Sequence, residues 1–274
     1  MARLADGATA YRVHGDRGPW VVLVPGLATP MVGWDALAGA LAAAGFRVLR
    51  YDQLGRGLSD RPAVRYDADL FVRELDGLTR ALAIDAACFV GWSLGCVVTS
   101  RFAARAPDRV QRLVHIAPAM FIEPPLFVRV LARAPFGRRL LASRAAAFVE
   151  QLPFEHVSHP ERFTAYAAAM REQLRYPGFA AALASTVIHF PWRSGPELRA
   201  VGEHPRPVLI VWGDDDPATP YANSPRVHAI FPRAELLTLR GARHAPHVDR
   251  ADVVGDALIR FLRSSDATPP AVAP

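Results

Sequence analysis

Short apolar runs alternate with longer stretches of helical periodicity over most of this chain, which predicts a mainly parallel sheet wrapped by helices. Trp20-Val21-Val22-Leu23-Val24 is apolar at every position, as a strand covered on both faces must be. A helix is expected from Trp34 to Ala44, stopped by Gly45, and a second strand from Phe46 to Tyr51. Between Asp67 and Leu82 the residues Leu70, Phe71, Leu75, Leu78 and Leu82 fall on one helical face. Ala86 to Val90 reads as the next strand, Leu94 to Arg105 as a helix ending before Pro107, and Val110 to Ile116 as a strand. A second such unit closes the chain, with strands at 207–212 and 234–239 and helices at 221–231 and 248–262.

From Ala117 to Arg206 the alternation stops. This segment is helical, aromatic and apolar, and the prolines at 124, 125, 135, 153, 160 and 177 should divide it into three or four short helices. The organisation expected is therefore a core of residues 1–117 and 207–263, an inserted helical cap of 118–206, and a disordered tail over 264–274, where the composition turns to Ser, Thr, Pro and Ala.

A length of 274 residues is enough to bury a core without disulfides, and Cys88 and Cys96 read as small buried residues rather than a bridge. The net charge of +6 raises the question of nucleic acid or anionic surfaces. All 32 basic residues are arginine, scattered among Asp and Glu, and no stacking aromatics accompany them, so a coding bias is the simpler reading and no nucleic-acid partner is expected. No apolar run approaches the ~20 residues of a membrane span. The N-terminus lacks the apolar core of a signal peptide, and the expected compartment is the cytoplasm.

Chemistry concentrates at four turns. Gly91-Trp92-Ser93-Leu94-Gly95 joins a strand to a helix, and small residues two before and two after a serine are what a strained strand-to-helix elbow requires. A serine hydroxyl is a weak nucleophile near neutral pH and needs a base in reach and an acid to orient that base. The strand at 207–212 delivers Asp214, Asp215 or Asp216 at its carboxyl end, and the strand at 236–239 leads to His244 at the same sheet edge. His247, one helical turn on, competes with His244. A His-x-x-His pair also suggests metal, but no Cys or carboxylate ligand stands at a supporting spacing, so no metal and no cofactor are expected. The Asp52 to Gly57 loop is too short for a phosphate cradle and reads as structural, Cys96 as packing, and His156 and His159 as solvent-facing.

With these four motifs in place, the chain resembles a serine-nucleophile, esterase- or lipase-like member of the α/β-hydrolase superfamily over about residues 9 to 263. The matching residues are Gly-Trp-Ser-Leu-Gly at 91–95, Tyr-Asp-x-x-Gly-x-Gly-x-Ser at 51–59, Trp-Gly-x-x-Asp-x-x-x-Pro at 212–220 and Gly-x-x-His at 241–244. The resemblance implies an α/β-hydrolase fold with a mostly parallel, eight-stranded-type sheet. It implies Ser93 as nucleophile, His244 as base and then acid, and Asp216 as the orienting carboxylate. The oxyanion hole would be the backbone N–H groups of Leu27 and Leu94. Pro25-Gly26 stands where the family usually has His-Gly, which removes that histidine's hydrogen bonds but leaves the Leu27 N–H.

The function implied is hydrolysis of a small-molecule carboxylic ester, thioester or lactone with an apolar portion. Serine at the elbow speaks against the aspartate- and cysteine-dependent branches of the superfamily. Carbon-carbon bond hydrolases and perhydrolases keep the same triad. A nonhydrolytic cyclase or lyase, or a ligand-binding receptor, would keep the pocket with an idle triad, and Pro25 is the one feature that leans toward it. The sequence leaves the oligomeric state open.

Overall fold

A computed structural model describes residues 1–264, so the tail expectation lies outside the described residues. The chain opens with strands β1 (Ala2–Leu4), β2 (Gly7–Thr9), β3 (Tyr11–His14) and β4 (Trp20–Val24), followed by α1 (Asp35–Ala43) and β5 (Arg47–Tyr51). Then come α2 (Ala68–Ala81), β6 (Ala87–Trp92), α3 (Leu94–Arg105) and β7 (Val110–Ile116). Six α-helices follow without a strand among the described residues: α4 (Leu126–Leu131), α5 (Gly137–Ser143), α6 (Ala145–His156), α7 (Thr164–Glu172), α8 (Phe179–His189) and α9 (Arg199–Glu203). The chain closes with β8 (Val208–Gly213), α10 (Ser224–Ile230), β9 (Glu235–Leu239), α11 (Pro246–Asp249) and α12 (Ala251–Arg263).

Among the described residues the main sheet has seven strands in the order β3-β5-β4-β6-β7-β8-β9, parallel except for β3. The class is the one the sequence implies, with one strand fewer than the eight-stranded type. The pair β1-β2 forms its own antiparallel hairpin instead of joining the sheet edge, and Leu4 packs over Gly77 of α2. These three N-terminal strands were not legible as such, because each is only three or four residues long and carries little apolar pattern.

The elements in the middle of the chain follow local chemistry closely. Asp67 caps α2, its carboxylate accepting the Leu70 N–H at 3.0 Å, and Leu70, Phe71, Leu75 and Leu78 are buried together. Gly45, at φ +92°, ends α1 in the left-handed conformation that a residue with a Cβ resists. Every residue of β6 is buried, as its position in the middle of the sheet demands, with Val22, Phe89 and Leu113 in register across three strands.

The helical segment between β7 and β8 departs from expectation in number. Pro153 sits inside α6, near its C-terminal end, and does not break it, while α5 and α6 part at Arg144 with neither proline nor glycine to mark the boundary. Proline interrupts a helix only where its missing N–H and ring cannot be accommodated.

Backbone meets backbone closely where α3 packs against the end of β4. A Cβ on Gly95 would come within 2.3 Å of the Val24 carbonyl oxygen, and one on Gly91 within 2.6 Å of the Gly95 backbone. Gly95→Ala should therefore lower stability by about 3 kcal/mol, a fall in Tm of roughly 6–12 °C by thermal denaturation. A Tm within a degree of the native protein would show that α3 does not lie this close.

Candidate active site

Ser93 occupies the turn between β6 and α3 with φ 54° and ψ −118°, a conformation a serine holds only under external constraint. The constraint is visible in its backbone. Ser93 N donates to Ile116 O at 2.8 Å, and Ser93 O accepts from Cys96 N at 3.0 Å and Ala119 N at 3.1 Å. Cys96 fits where a larger residue would push α3 away, its thiol donating to Gly91 O at 3.1 Å. Burial pushes that thiol well above its ordinary pKa, and Cys88 up to about 12, so both are neutral packing groups; they are free, not bridged.

The loop after β8 carries three aspartates to the carboxyl edge of the sheet, and folding distinguishes them by burial. Asp214 and Asp215 are exposed; Asp216 is buried. The Asp216 carboxylate receives the Ala218 and Thr219 N–H groups at 2.9 and 2.8 Å, the Thr219 hydroxyl at 2.7 Å, and His244 Nδ1 at 2.9 Å. Burial alone would raise its pKa, but the proximity and hydrogen bond of His244, with the Thr219 donors, outweigh that and hold the carboxyl below its ordinary value. His244 is itself fixed by its backbone: its N–H donates to Glu155 O at 3.2 Å and its carbonyl accepts from Trp92 Nε1 at 2.8 Å. Among the described residues the hydrogen bonds of its ring run from Nδ1, and His244 and Ser93 line the same cavity.

His247 belongs elsewhere. Its ring packs against Trp34 and Trp92, at 4.4 and 4.6 Å between centroids, and neither nitrogen has a hydrogen-bond partner among the described residues. His156 corrects the expectation of a solvent-facing side chain. It is buried, with Nδ1 2.6 Å from the Tyr166 hydroxyl and its ring 5.0 Å from Trp92 and 5.5 Å from His244. His159 is exposed, as expected.

The loop after β4 brings Leu27 to the same cavity, facing the N-terminus of α3, where Leu94 begins the helix. Pro25 and Gly26 are buried against the elbow, and a Cβ on Gly26 would lie 3.4 Å from Ser93 Cβ. This loop is held by two residues whose roles the sequence did not disclose. Arg56, fully buried, donates from Nε to Leu27 O at 2.8 Å and from Nη2 to the Thr186 hydroxyl at 2.7 Å; burial lowers its pKa to about 10. Gln173 of the helical segment donates to Ala28 O at 2.7 Å and accepts from Gly57 N at 2.9 Å. These hydrogen bonds tie the Gly-x-Gly loop into the fold, and the arginine between its glycines was the available signal. Asp52 serves that loop too, accepting the Met31 and Leu58 N–H groups at 2.6 and 2.9 Å.

Ser93 and His244 open onto a cavity of about 490 Å³. Its walls are mostly aliphatic and aromatic, among them Leu152, Leu183, Val187, Phe148 and Trp192 of the helical segment. Besides His244, two ionisable groups break this surface, Arg144 and Glu155. Burial raises the Glu155 carboxyl above its ordinary value, and Asp216 adds to the rise against the opposing pull of His244 and Arg243. A hydroxyl on a strained turn and an imidazole oriented by a buried carboxylate, both lining one apolar space, are the parts that acyl transfer needs.

Comparison with known proteins agrees with this fold. Residues 19–251 match the family described as alpha/beta hydrolase fold, and the chain belongs to that family. It is 28% identical over 276 residues to an uncharacterized protein of Mycobacterium tuberculosis, covering 96% of this chain and 79% of the relative. It is 27% identical over 293 residues to the non-heme chloroperoxidase of Streptomyces lividans, covering 95% of this chain and 98% of that one. Among solved structures, the enol-lactonase from Burkholderia xenovorans LB400 superposes with a TM-score of 0.77 at 26% identity, covering 96% of this chain and 99% of that chain.

Three histidines are buried in environments that disfavour charge. Burial lowers His115 and His247 to about 3 and His156 well below its ordinary value. Their folded pKa values lie below the unfolded value near 6.5, so the unfolded chain binds more protons and stability falls as pH drops below ~6.5. Each group contributes at most about 1.4 kcal/mol per pH unit across that window. Burial raises the Glu74 carboxyl to about 8, which offsets one histidine over the same window. Chemical denaturation between pH ~6.5 and ~4.5 should show a net loss of stability that is shallower in His247→Phe. An identical slope in that variant would mean that His247 does not stay neutral in the fold.

Proposed function

We propose that the protein is a serine hydrolase that cleaves a carboxylic ester, thioester or lactone with an apolar portion through an acyl-enzyme on Ser93. The observation that carries this reading is the 2.9 Å contact between His244 Nδ1 and an Asp216 carboxylate whose side chain has no exposure to solvent. A buried carboxylate in that position fixes the tautomer that leaves Nε2 unprotonated, which is the form a general base needs.

In the proposed cycle Ser93 Oγ attacks the carbonyl carbon while His244 Nε2 takes its proton. The oxyanion of the tetrahedral intermediate is met by the Leu27 and Leu94 N–H groups, the latter at the positive end of α3. Collapse expels the alcohol or thiol, which His244 protonates, and the acyl group remains on Ser93. Water, deprotonated by His244, then attacks the acyl carbon and Ser93 is restored. Asp216 stays ionised throughout and stabilises the imidazolium in both halves.

The helical segment 118–206 acts in this proposal as a cap over the cavity. Its apolar lining supports a substrate with a hydrophobic acyl or alkyl part. The likeness to an enol-lactonase supports a cyclic or linear ester as the reacting group. A cytoplasmic setting belongs to the same proposal and is supported by two free, buried cysteines.

A fluorophosphonate probe should label the native protein and not Ser93→Ala. On a panel of activated esters graded by acyl length, Ser93→Ala and His244→Ala should each lower kcat/KM by at least ~10³-fold, and Asp216→Asn by less. Equal labelling of Ser93→Ala would end the nucleophile assignment, and a larger loss in Asp214→Asn than in Asp216→Asn would move the acid.

A second reading rests on the likeness to a non-heme chloroperoxidase. Hydrogen peroxide taking the place of water in deacylation would release a peracid from the same acyl-enzyme. Peracid formation from a short-chain ester and peroxide, measured against the rate of ester hydrolysis, should persist in the native protein and vanish in Ser93→Ala. Hydrolysis without detectable peracid restricts the chemistry to water.

A further inference from the structure

The outer face of α4 and α5 is unusual for a surface in contact with water alone. Phe136 is 74% exposed, Leu126 71%, Phe127 62%, Val130 58% and Leu140 45%. Four of these large apolar residues lie on two short consecutive helices and Phe136 immediately precedes the second; in α4 only Val128 is buried. The helices are held as one unit, since Gly137 packs against the Leu131 carbonyl and donates its N–H to Ala134 O at 3.0 Å. A contiguous exposed apolar face of this kind marks an interaction surface.

Its charge identifies the partner. Residues 124–149 contain Arg129, Arg133, Arg138, Arg139 and Arg144 and no acidic residue. All five arginines are exposed, and among the described residues none has a carboxylate within ion-pair distance. The acids that bound the segment are already engaged, Glu123 with Arg193 and Glu150 with Arg171. Elsewhere the arginines interleave with Asp and Glu, so the local excess is a property of this face and not of the chain's composition. Arg144 also reaches the cavity wall, and the other four stand among the exposed apolar side chains along the chain. Large apolar side chains accompanied by unpaired arginines match an anionic bilayer, whose headgroups take the cations while its acyl boundary takes the apolar groups.

The same helices also form part of the cavity wall. Phe127 is exposed outside and lines the cavity within, and on α5 Leu140 faces out while its neighbour Leu141 lines the cavity. We propose that the α4–α5 face is a peripheral docking surface for an anionic lipid bilayer, set so that the cavity lies directly behind the docked face. Docking is independent of the chemistry assigned to Ser93, because it is read as binding and needs no turnover.

The test is flotation of the full chain with vesicles of phosphatidylcholine alone and with vesicles that also contain phosphatidylglycerol. The native protein and Ser93→Ala should both bind the anionic vesicles, with little binding to phosphatidylcholine alone and weaker binding at high salt. Arg138→Ser/Arg139→Ser should lower partitioning onto anionic vesicles about thirtyfold. Phe136→Ser/Leu140→Ser should lower it about tenfold or more. The arginine pair is fully on the surface, so that variant tests the idea even if the apolar one folds poorly. The proposal is overturned by absence of anionic-vesicle binding in the native protein, or by binding that both variants leave unchanged. It is also overturned by a dimer in light scattering that Phe136→Ser/Leu140→Ser dissociates while vesicles bind nothing, since the face would then serve a second copy of this chain.

Discussion

Close approach of α3 to the carboxyl end of the sheet is the constraint on which the rest of the site depends. Gly91 and Gly95 let β6, α3 and the end of β4 meet with backbone against backbone, and the space for even one methyl group is missing. That contact forces Ser93 into a positive φ and turns its hydroxyl out of the chain's path toward the cavity. It also brings the loop carrying Leu27 beside the first turn of α3. Strain of this order, about 1–3 kcal/mol, persists because Ile116, Cys96 and Ala119 hold the serine's backbone from three directions.

The remaining polar groups reach the cavity from separate parts of the chain and are fixed by partners that are themselves buried. Asp216 depends on Thr219, His244 on Trp92 and on the Glu155 carbonyl, and the Leu27 loop on Arg56 and Gln173. Gln173 and Glu155 lie in the helical segment, so the segment does more than cover the cavity. It supplies hydrogen bonds to the loop bearing His244 and to the loop bearing Leu27. A change in how these helices sit would therefore be felt at the imidazole as well as at the substrate pocket.

Legibility followed the range of the forces involved. Helix ends at Asp67 and Gly45 and the continuous apolar strands could be read directly, because capping and two-sided burial leave their mark within a few residues. The N-terminal hairpin could not, since its short strands owe their place to packing on α2. The count of helices between β7 and β8 was wrong for the same reason, as Pro153 is tolerated and the break at Arg144 carries no local signal. His156 looked polar and solvated in sequence, yet folding places it beside Trp92 and His244 with Tyr166 as its partner.

The sequence by itself determined the architecture, the elbow, and the order in which serine, aspartate and histidine arrive at one sheet edge. These rest on backbone sterics and on side-chain periodicity, which are properties of neighbouring residues. Only the tertiary structure decided which of three adjacent aspartates is desolvated against His244, which histidine packs between two tryptophans, and that an arginine between two glycines supports the Leu27 loop. It also decided that, among the described residues, the arginines of residues 124–149 stay unpaired while large apolar side chains of α4 and α5 beside them stay exposed. Burial and charge pairing depend on which elements come to lie over a residue, and that is settled only when distant parts of the chain meet.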